Sequence, residues 1–431
     1  MMIWTTHDII KEIKNQGKSD LFQDLYGEIE DDSAELNRIT DLMVRSKDPV
    51  THLFSAPGRT ELGGNHTDHN LGVVLCAAVQ KDMLAAVSKR VDNKVVIRSD
   101  GYSEIFEMDI SDLGKRSSEK GKTNALIRGV LAGIDESGGQ IGGFSAEITS
   151  NVGIGSGLSS SASFEVLIGT IVNNLFNESK LLPEQIAQIG QFAENIFFGK
   201  PCGLMDQTAS AIGGIMKIDF ADPSHIDIQK VRFDMDTTDY VLVVVNTGSS
   251  HADLTPAYAS IPAEMSAVAQ ELGSELLRSQ NENLLYDKMT IIRPKLGDRA
   301  VLRAMHFFRE NNRVQQMVAA LESTDFNTFL EKVAASGASS QNVLQNAIPP
   351  QSDGMEQGLG FALGISQSFF EQTGRGVARV HGGGFAGAIQ AYVHKEDFQE
   401  YSDCVSKIIS PNALSVLNIR QHGACEILSL K

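Results

Sequence analysis

Basic residues are the scarce class in this chain. Lys and Arg total 37 against 54 Asp and Glu, so its 431 residues carry a formal net charge of −17. Binding nucleic acid means neutralising phosphates with clustered cations, and there is no Lys/Arg block to grip an anionic membrane surface. The balance excludes both partners, and nothing in the sequence implies an obligate protein partner. An anionic substrate would need a local cradle built against the overall field. Long apolar runs are missing too. None approaches the roughly 20 residues of a membrane span. The N-terminal MMIWTTHDIIKEIKNQGK is polar where a signal peptide would be apolar. Cysteine is rare: Cys76, Cys202, Cys404 and Cys425 are far apart and form no CxxC pair. That excludes a disulfide framework or a cysteine zinc site and implies reduced thiols in a cytoplasmic protein.

Hydrophobic content of 42% and charged content of 21% are ordinary for globular chains. The length exceeds one core, which implies two domains. Residues 5–45 read as helical, broken near Gly17 and Asp31. Residues 58–70, GRTELGGNHTDHN, lack periodicity and read as a functional loop. Leu71–Val79, Met83–Ser88 and Lys94–Arg98 read as short strands, with Lys81-Asp82 as a turn. Helices are expected at Asn124–Ser137, Gly157–Phe176 and Pro183–Phe198, with a strand at Gly143–Thr149. Gly214–Phe220 and Tyr240–Asn246 are further strands. The charged segment Ala221–Asp239 between them is the expected junction, giving domains 1–225 and 226–431. Helices follow at Arg299–Leu321, Phe326–Ala335 and Gly358–Gln372, then a Gly-rich strand region at Val377–Val393 and a last helix near 396–409. Strands and helices that do not strictly alternate point to α+β packing.

Three stretches carry chemistry. In Asn151–Ala162, NVGIGSGLSSSA, a strand leads through spaced glycines into a helix. Glycines let backbone N–H groups approach an anion, and the helix start adds partial positive charge. Ser159, Ser160 and Ser161 supply hydroxyls, one of which suits Mg²⁺ beside phosphate. A serine-capped helix after a tight turn is the other reading. The stretch is neither a Walker loop nor a Rossmann fingerprint. In Ala193–Gln207, Glu194 and Asp206 flank a Gly/Pro break and suit metal ligation and base work. A surface carboxylate plus a helix-capping Asp explains them equally. In Arg379–Val393, RVHGGGFAGAIQAYV, strand-like residues follow the glycines, so a tight turn between strands, close to a ligand, replaces a dinucleotide reading. His66, Asp68 and His69 are metal-type residues, but no further ligand pair has metal spacing.

Together and in this order, these stretches resemble the galactokinases of the GHMP small-molecule kinase family. Ala56–Val79 resembles the galactokinase signature. Gly155–Ser163 resembles the family's phosphate loop, and His381–Gly387 its C-terminal glycine loop. Pro201–Gln207 matches the segment of the catalytic aspartate, and His251-x₆-Tyr258 has the sugar-tyrosine spacing. The resemblance implies an N-terminal ribosomal-protein-like mixed α/β domain, a C-terminal ferredoxin-like domain, and an active site between them. It implies transfer of a phosphoryl group from ATP to the C1 hydroxyl of galactose, with Mg²⁺. Asp206 would address that hydroxyl, and Arg59 would neutralise charge on the phosphoryl group. Ser161 and Glu194 would hold Mg²⁺. Gly155, Ser156, Gly157, Leu158, Ser159, Ser160 and Ser161 would wrap the phosphates, and Ser99 would touch the nucleotide. Asn65, His66, Thr67, Asp68 and Tyr258 would hold the sugar, with Gly63 and Gly64 letting the backbone close around a small ring.

The chain also departs from the pattern. Asn65 and His69 stand where the family usually has Glu and Tyr, and Thr60-Glu61 replaces an apolar-Asn pair. A tryptophan often found before the helix near residue 124 is missing, and Thr123 stands there. Ala259–Met265 replaces an Arg-rich run. None of these changes touches Arg59, Ser161, Glu194 or Asp206. The alternatives are a kinase for an amino sugar, pentose or uronic acid, and a non-catalytic sugar/nucleotide sensor.

Overall fold

The computed structural model describes residues 4–27, 33–153, 157–223, 226–249, 254–350 and 354–430. Helices α1 (Thr6–Asn15), α2 (Ser19–Tyr26) and α3 (Ala34–Arg45) open the chain. Thr5 and Asp8 form a reciprocal capping box on α1, satisfying donors that a helix start leaves unpaired. Then come β1 (His52–Gly63), β2 (Val73–Lys89), β3 (Lys94–Ser99), β4 (Phe106–Asp109), α4 (Thr123–Glu136) and β5 (Phe144–Ser150). Next are α5 (Ser160–Asn177), α6 (Pro183–Phe192), α7 (Met205–Ile212), β6 (Ile215–Asp219) and β7 (Asp227–Val231). The rest of the chain comprises β8 (Tyr240–Asn246), α8 (Thr255–Leu272), α9 (Glu282–Leu296), α10 (Asp298–Glu322), α11 (Phe326–Ser339), α12 (Gly358–Thr373), β9 (Val377–His381), β10 (Ala388–His394), α13 (Phe398–Ile408), β11 (Leu414–Leu417) and β12 (Cys425–Ser429).

The strands form an eight-stranded sheet, whose main path is β12-β1-β2-β5-β3-β4, and a four-stranded sheet ordered β11-β8-β10-β9. In the larger sheet, the first half of β2 also pairs with β6, and β6 with β7. The last strand, β12, returns from the chain's end to pair with β1. This is an α+β fold. One apolar cluster runs from Phe54 and Leu75 on the larger sheet through Val314 and Met317 on α10 to Phe329 and Tyr392 near the smaller sheet. The two sheets are therefore joined by shared core, and the segments facing between them are held in fixed relation. Among the described residues, no helix is long and apolar enough to cross a membrane.

Four expectations fail here. Residues 58–70 are not a loop throughout. β1 extends to Gly63 and is buried along nearly its whole length, because Arg59–Gly63 pairs with Leu75–Ala78 of β2. Nor is Lys81-Asp82 a turn, since β2 runs straight through it. Asp82 marks no surface bend because its charge is buried and paired: Tyr26, Arg38, Ser55 and Arg420 all contact its carboxylate. Helices α8 and α9 lie where the pattern predicts none. Their interior prolines, Pro262 and Pro294, break the signal that such a pattern relies on. Around Gly63 and Gly64 the demand is packing, not ring closure. A Cβ on Gly64, at φ +93°, would sit 2.5 Å from the Val73 carbonyl, and one on Gly63 would sit 2.5 Å from the Met317 sulfur.

Candidate active site

Two cavities approach each other at the start of α5. The smaller, of about 290 Å³, is lined by Glu61, Asn65, His66, Asp68, Asp206 and Tyr258, among others. The larger, of about 590 Å³, is walled by Ser99, Tyr102, Phe106, Thr123, Phe164 and Phe198, with Ser160 and Ser161 at its edge. Asp206 lines the smaller one and bonds Ser159, next to the serines that line the larger.

Asp206 lies in the first turn of α7, where the unpaired N–H groups of a helix start favour negative charge. Arg59 reaches it from β1 as a two-pronged pair, Nε to Oδ1 at 2.6 Å and Nη2 to Oδ2 at 2.8 Å. The Ser159 hydroxyl donates to Oδ2 as well, and Arg59 Nη1 donates to the Gly157 carbonyl. Burial alone would raise the Asp206 carboxyl, but Arg59 and Ser159 outweigh it and hold it below the usual carboxylate range. Ser159 adopts φ 62°, a left-handed conformation that costs a serine roughly 1–3 kcal/mol and is typical of functional turns.

Glu194 lies on the π-helical turn Ala193–Phe198 that continues α6, a distortion often found where a side chain must be re-aimed. Its Oε1 accepts from Ser161 Oγ at 3.4 Å and from Lys200 Nζ at 3.1 Å, and its Oε2 from Gln207 Nε2 at 3.1 Å. A hydroxyl and a carboxylate oxygen side by side are hard donors. They suit Mg²⁺, which binds through one or two protein oxygens and completes its shell with phosphate and water.

Sequence reasoning missed Glu165. It sits wholly buried on α5, and its Oε2 accepts from the same Gln207 amide at 2.9 Å. A lone carboxylate inside the apolar run 162–172 was the signal that marks it. Burial, and then the charge of Glu194, push its pKa well up. A carboxyl with a raised folded-state pKa takes up a proton on folding, so its contribution to stability is lost as pH rises from the unfolded pKa toward the folded one. Glu165→Gln keeps an acceptor for Gln207 and removes that loss. The difference in melting temperature, variant minus wild type, should therefore grow between pH 5 and 8. Parallel melting curves that do not diverge would refute this.

His66 and Asp68 line the wall of the smaller cavity. His66 Nε2 lies 2.7 Å from the Gly383 carbonyl. The carbonyl can only accept, so Nε2 carries the proton and Nδ1 is left as acceptor. Burial pushes this imidazole down to about 4, so it is neutral at pH 7. Gly203 packs against Asp68, and a Cβ there would lie 2.2 Å from Asp68 Oδ2 and displace that carboxylate. Tyr258 donates to the Gly384 carbonyl at 2.8 Å. The glycine turn between β9 and β10 brings Gly382 and Gly383 to the same cavity, so the tight-turn reading fits.

Two expected sugar contacts do not fit. Thr67 is fully buried, and its hydroxyl bonds to the Gly64 and Val73 carbonyls, so it braces the turn and does not line the cavity. Asn65 lines the cavity, but both amide hydrogens are spent on Gly382 O, at 2.6 Å, and on Glu61. Its Oδ1 accepts from Asn346 Nδ2 at 2.8 Å. Of the phosphate-loop residues, Ser160 and Ser161 line the larger cavity, Ser159 bonds Asp206 on the wall of the smaller, and the Gly157 and Leu158 carbonyls accept from Arg59. Gly155 and Ser156, like His251, lie outside the described residues. Ser99 lines the larger cavity, and Tyr102, Phe106 and Phe198 supply the aromatic wall for which the sequence has no tryptophan.

Residues 125–214 match the GHMP kinases N terminal domain, and residues 44–89 match the galactokinase galactose-binding signature. A galactokinase of Streptomyces coelicolor is 32% identical over 340 residues, covering 78% of this chain and 83% of that one. A galactokinase of Clostridium tetani is 31% identical over 355 residues, covering 82% and 86%. Among solved structures, Lactococcus lactis galactokinase complexed with galactose superposes with a TM-score of 0.74 at 24% identity, over 96% of this chain and 99% of that one. Methanococcus jannaschii mevalonate kinase superposes at 0.60 and 14% identity, over 86% and 98%. With two family models matched across the signature and the phosphate loop, and curated relatives aligned over most of their length, the chain belongs to the galactokinase family, ATP-dependent sugar kinases of the GHMP class.

Proposed function

We propose that this chain transfers the γ-phosphoryl group of ATP to the C1 hydroxyl of galactose, yielding galactose 1-phosphate and ADP with Mg²⁺. One observation carries the reading. Asp206, on the wall of the smaller cavity, is bonded to Ser159, while the next two serines edge the larger one. A sugar in the smaller cavity and a nucleotide in the larger would meet at Asp206 and Arg59.

In this scheme Asp206 accepts the C1 hydroxyl hydrogen and orients the oxygen toward the phosphoryl group. Phosphoryl transfer depends mainly on positioning and charge stabilisation. A carboxylate of low basicity therefore suffices, provided the proton leaves late. Arg59 keeps Asp206 ionised and offers its guanidinium to the charge on the transferred group. Ser161 and Glu194 would hold Mg²⁺, which offsets phosphate charge when bound. Lys200, paired with Glu194 Oε1, would stand beside the Mg²⁺ ligands. Tyr102, Phe106 and Phe198 would pack on the base, with Ser99 nearby. His66, Asp68 and Tyr258 would hold sugar hydroxyls.

The test is a panel of monosaccharides with ATP, followed by ADP release and by identification of the phosphorylated position. Galactose should be the best acceptor, phosphorylated at C1. Turnover of an amino sugar, pentose or uronic acid with none of galactose would replace this acceptor. Binding of both ligands with no ADP release from any sugar would favour a sensor.

A further inference from the structure

The smaller cavity holds a carboxylate that no role above uses. Glu61 and Asn65 both line it and touch each other, with Asn65 Nδ2 at 3.2 Å from Glu61 Oε1 and 3.4 Å from Oε2. In the motif this stretch resembles, position 61 is Asn and position 65 is Glu. Here the two residue types have changed places within one contacting pair. The contact still holds one carboxylate and one amide, but the carboxylate now comes from β1.

The surroundings are built for that exchange. Arg379, on β9 and wholly buried, donates Nη2 to Glu61 Oε1. Among the described residues its Nε and Nη1 have no hydrogen-bond partner, so Glu61 is the group that balances its charge. The Asn65 amide is spent on protein partners. Glu61 Oε2 is different: among the described residues its one contact is the long 3.4 Å approach of Asn65. A carboxylate oxygen takes more than one hydrogen bond and donates none. It lies on the cavity wall with capacity for a donor and none for an acceptor. The cavity's other acids are Asp68 and Asp206, and its cations Arg59 and Lys200 are already paired with Asp206 and Glu194. A substrate carboxylate would meet negative charge without a cation to receive it.

We infer that Glu61 receives a hydroxyl hydrogen of the bound monosaccharide, taking over the task from residue 65, and that this selects neutral, donor-bearing sugars over uronic acids. The inference rests on the sugar-kinase reading, and its test separates the two. Dissociation constants for galactose, each monodeoxygalactose and galacturonate are measured by calorimetry. The proteins are wild type, Glu61→Gln, Asn65→Glu and the double exchange Glu61→Asn/Asn65→Glu.

Losing a hydrogen bond to a charged group predicts about tenfold weaker galactose binding in Glu61→Gln, with the KM for ATP within about twofold. One monodeoxy sugar should bind wild type and Glu61→Gln equally, which identifies the hydroxyl concerned. Asn65→Glu alone sets two carboxylates in contact and should weaken galactose at least as much. The double exchange restores one carboxylate beside one amide and should return to within about threefold of wild type. Galacturonate should bind wild type at least about 100-fold more weakly than galactose. If Glu61→Gln fails to fold, the double exchange, which keeps a carboxylate near Arg379, carries the same deoxy-sugar comparison.

An unchanged galactose constant in Glu61→Gln would overturn the inference, as would a loss spread evenly over every deoxy sugar or a double exchange no better than Asn65→Glu. The sugar-kinase reading would survive all three. No galactose binding and no turnover by wild type would remove that reading and the inference with it.

Discussion

Asp206→Ala should slow turnover by about 10²–10⁴-fold while the protein stays folded and still binds sugar. The half-buried carboxylate lines the smaller cavity and is held by Arg59 and Ser159. Its removal costs the C1 hydroxyl its acceptor and leaves the Arg59 guanidinium without its counter-charge. The loss belongs in kcat, with the galactose dissociation constant changed only slightly, because the contacts assigned to holding the sugar come from His66, Asp68 and Tyr258. Asp206→Asn sharpens the point. It keeps the shape and an acceptor oxygen but loses the charge. If Asp206 acts by charge and not only by position, Asp206→Asn should resemble Asp206→Ala more than wild type. Single-turnover kinetics and sugar calorimetry on both variants check this. A rate near wild type in either would take Asp206 out of the mechanism.

The second large effect is on stability and centres far from the cavities. Asp82, fully buried on β2, is contacted by Arg38 from α3, Tyr26 from α2, Ser55 from β1 and Arg420 near the chain's end. Arg420 is itself buried, and donates to Ser55 Oγ at 2.6 Å and to the His422 and Gly423 carbonyls at 2.7 and 2.9 Å. This cluster ties the opening helices and the returning C-terminal segment to the larger sheet. Asp82→Asn leaves the buried Arg420 guanidinium without its counter-charge and the half-buried Arg38 with Glu35 alone, and removing one partner of a buried ion pair costs about 3–5 kcal/mol.

The effect has a pH signature. Burial would raise the Asp82 carboxyl, but Arg38 and Arg420 more than offset it and hold its folded pKa below the usual carboxylate range. A carboxylate with a depressed folded pKa contributes stability that is present above the unfolded pKa and lost as pH falls through the folded one. The gap between wild type and Asp82→Asn should therefore be full at pH 7 and shrink below about pH 3.8. Urea unfolding at several pH values measures it. A gap that stayed constant into acid would mean that the variant acts through packing and not through charge.

Much of this molecule could be read along the chain. The helices at 123–136, 160–177 and 298–322, the strand at 240–246 and the glycine turn before Ala388 follow from periodicity and turn residues, which are local properties. Arg59, Ser161, Glu194 and Asp206 stand out in the sequence because they sit in short motifs, and the fold pairs Arg59 with Asp206 and Ser161 with Glu194. Errors arose where a residue's surroundings come from distant sequence. Asp82 looks like a turn residue until Arg420, 338 positions away, is seen to neutralise it. Asn65 looks available to a sugar until Asn346 and Gly382 are seen to occupy its amide. Thr67 faces backbone carbonyls and not the cavity, a matter of side-chain direction that no spacing rule supplies.

By itself, the sequence determined most of the element types, the family resemblance and the small set of groups proposed to move a phosphoryl group. Those depend on residue kind and local order. Only the tertiary structure decided which of the polar groups still have hydrogen-bonding capacity to offer a ligand. Along the chain, Glu61 is one departure from the motif among several. Packed against Arg379 from 318 positions away, it becomes a fixed acceptor on the cavity wall. The physical reason is that a buried polar group's role is set by how many of its hydrogen bonds the fold has already used, and the partners that use them arrive from across the chain.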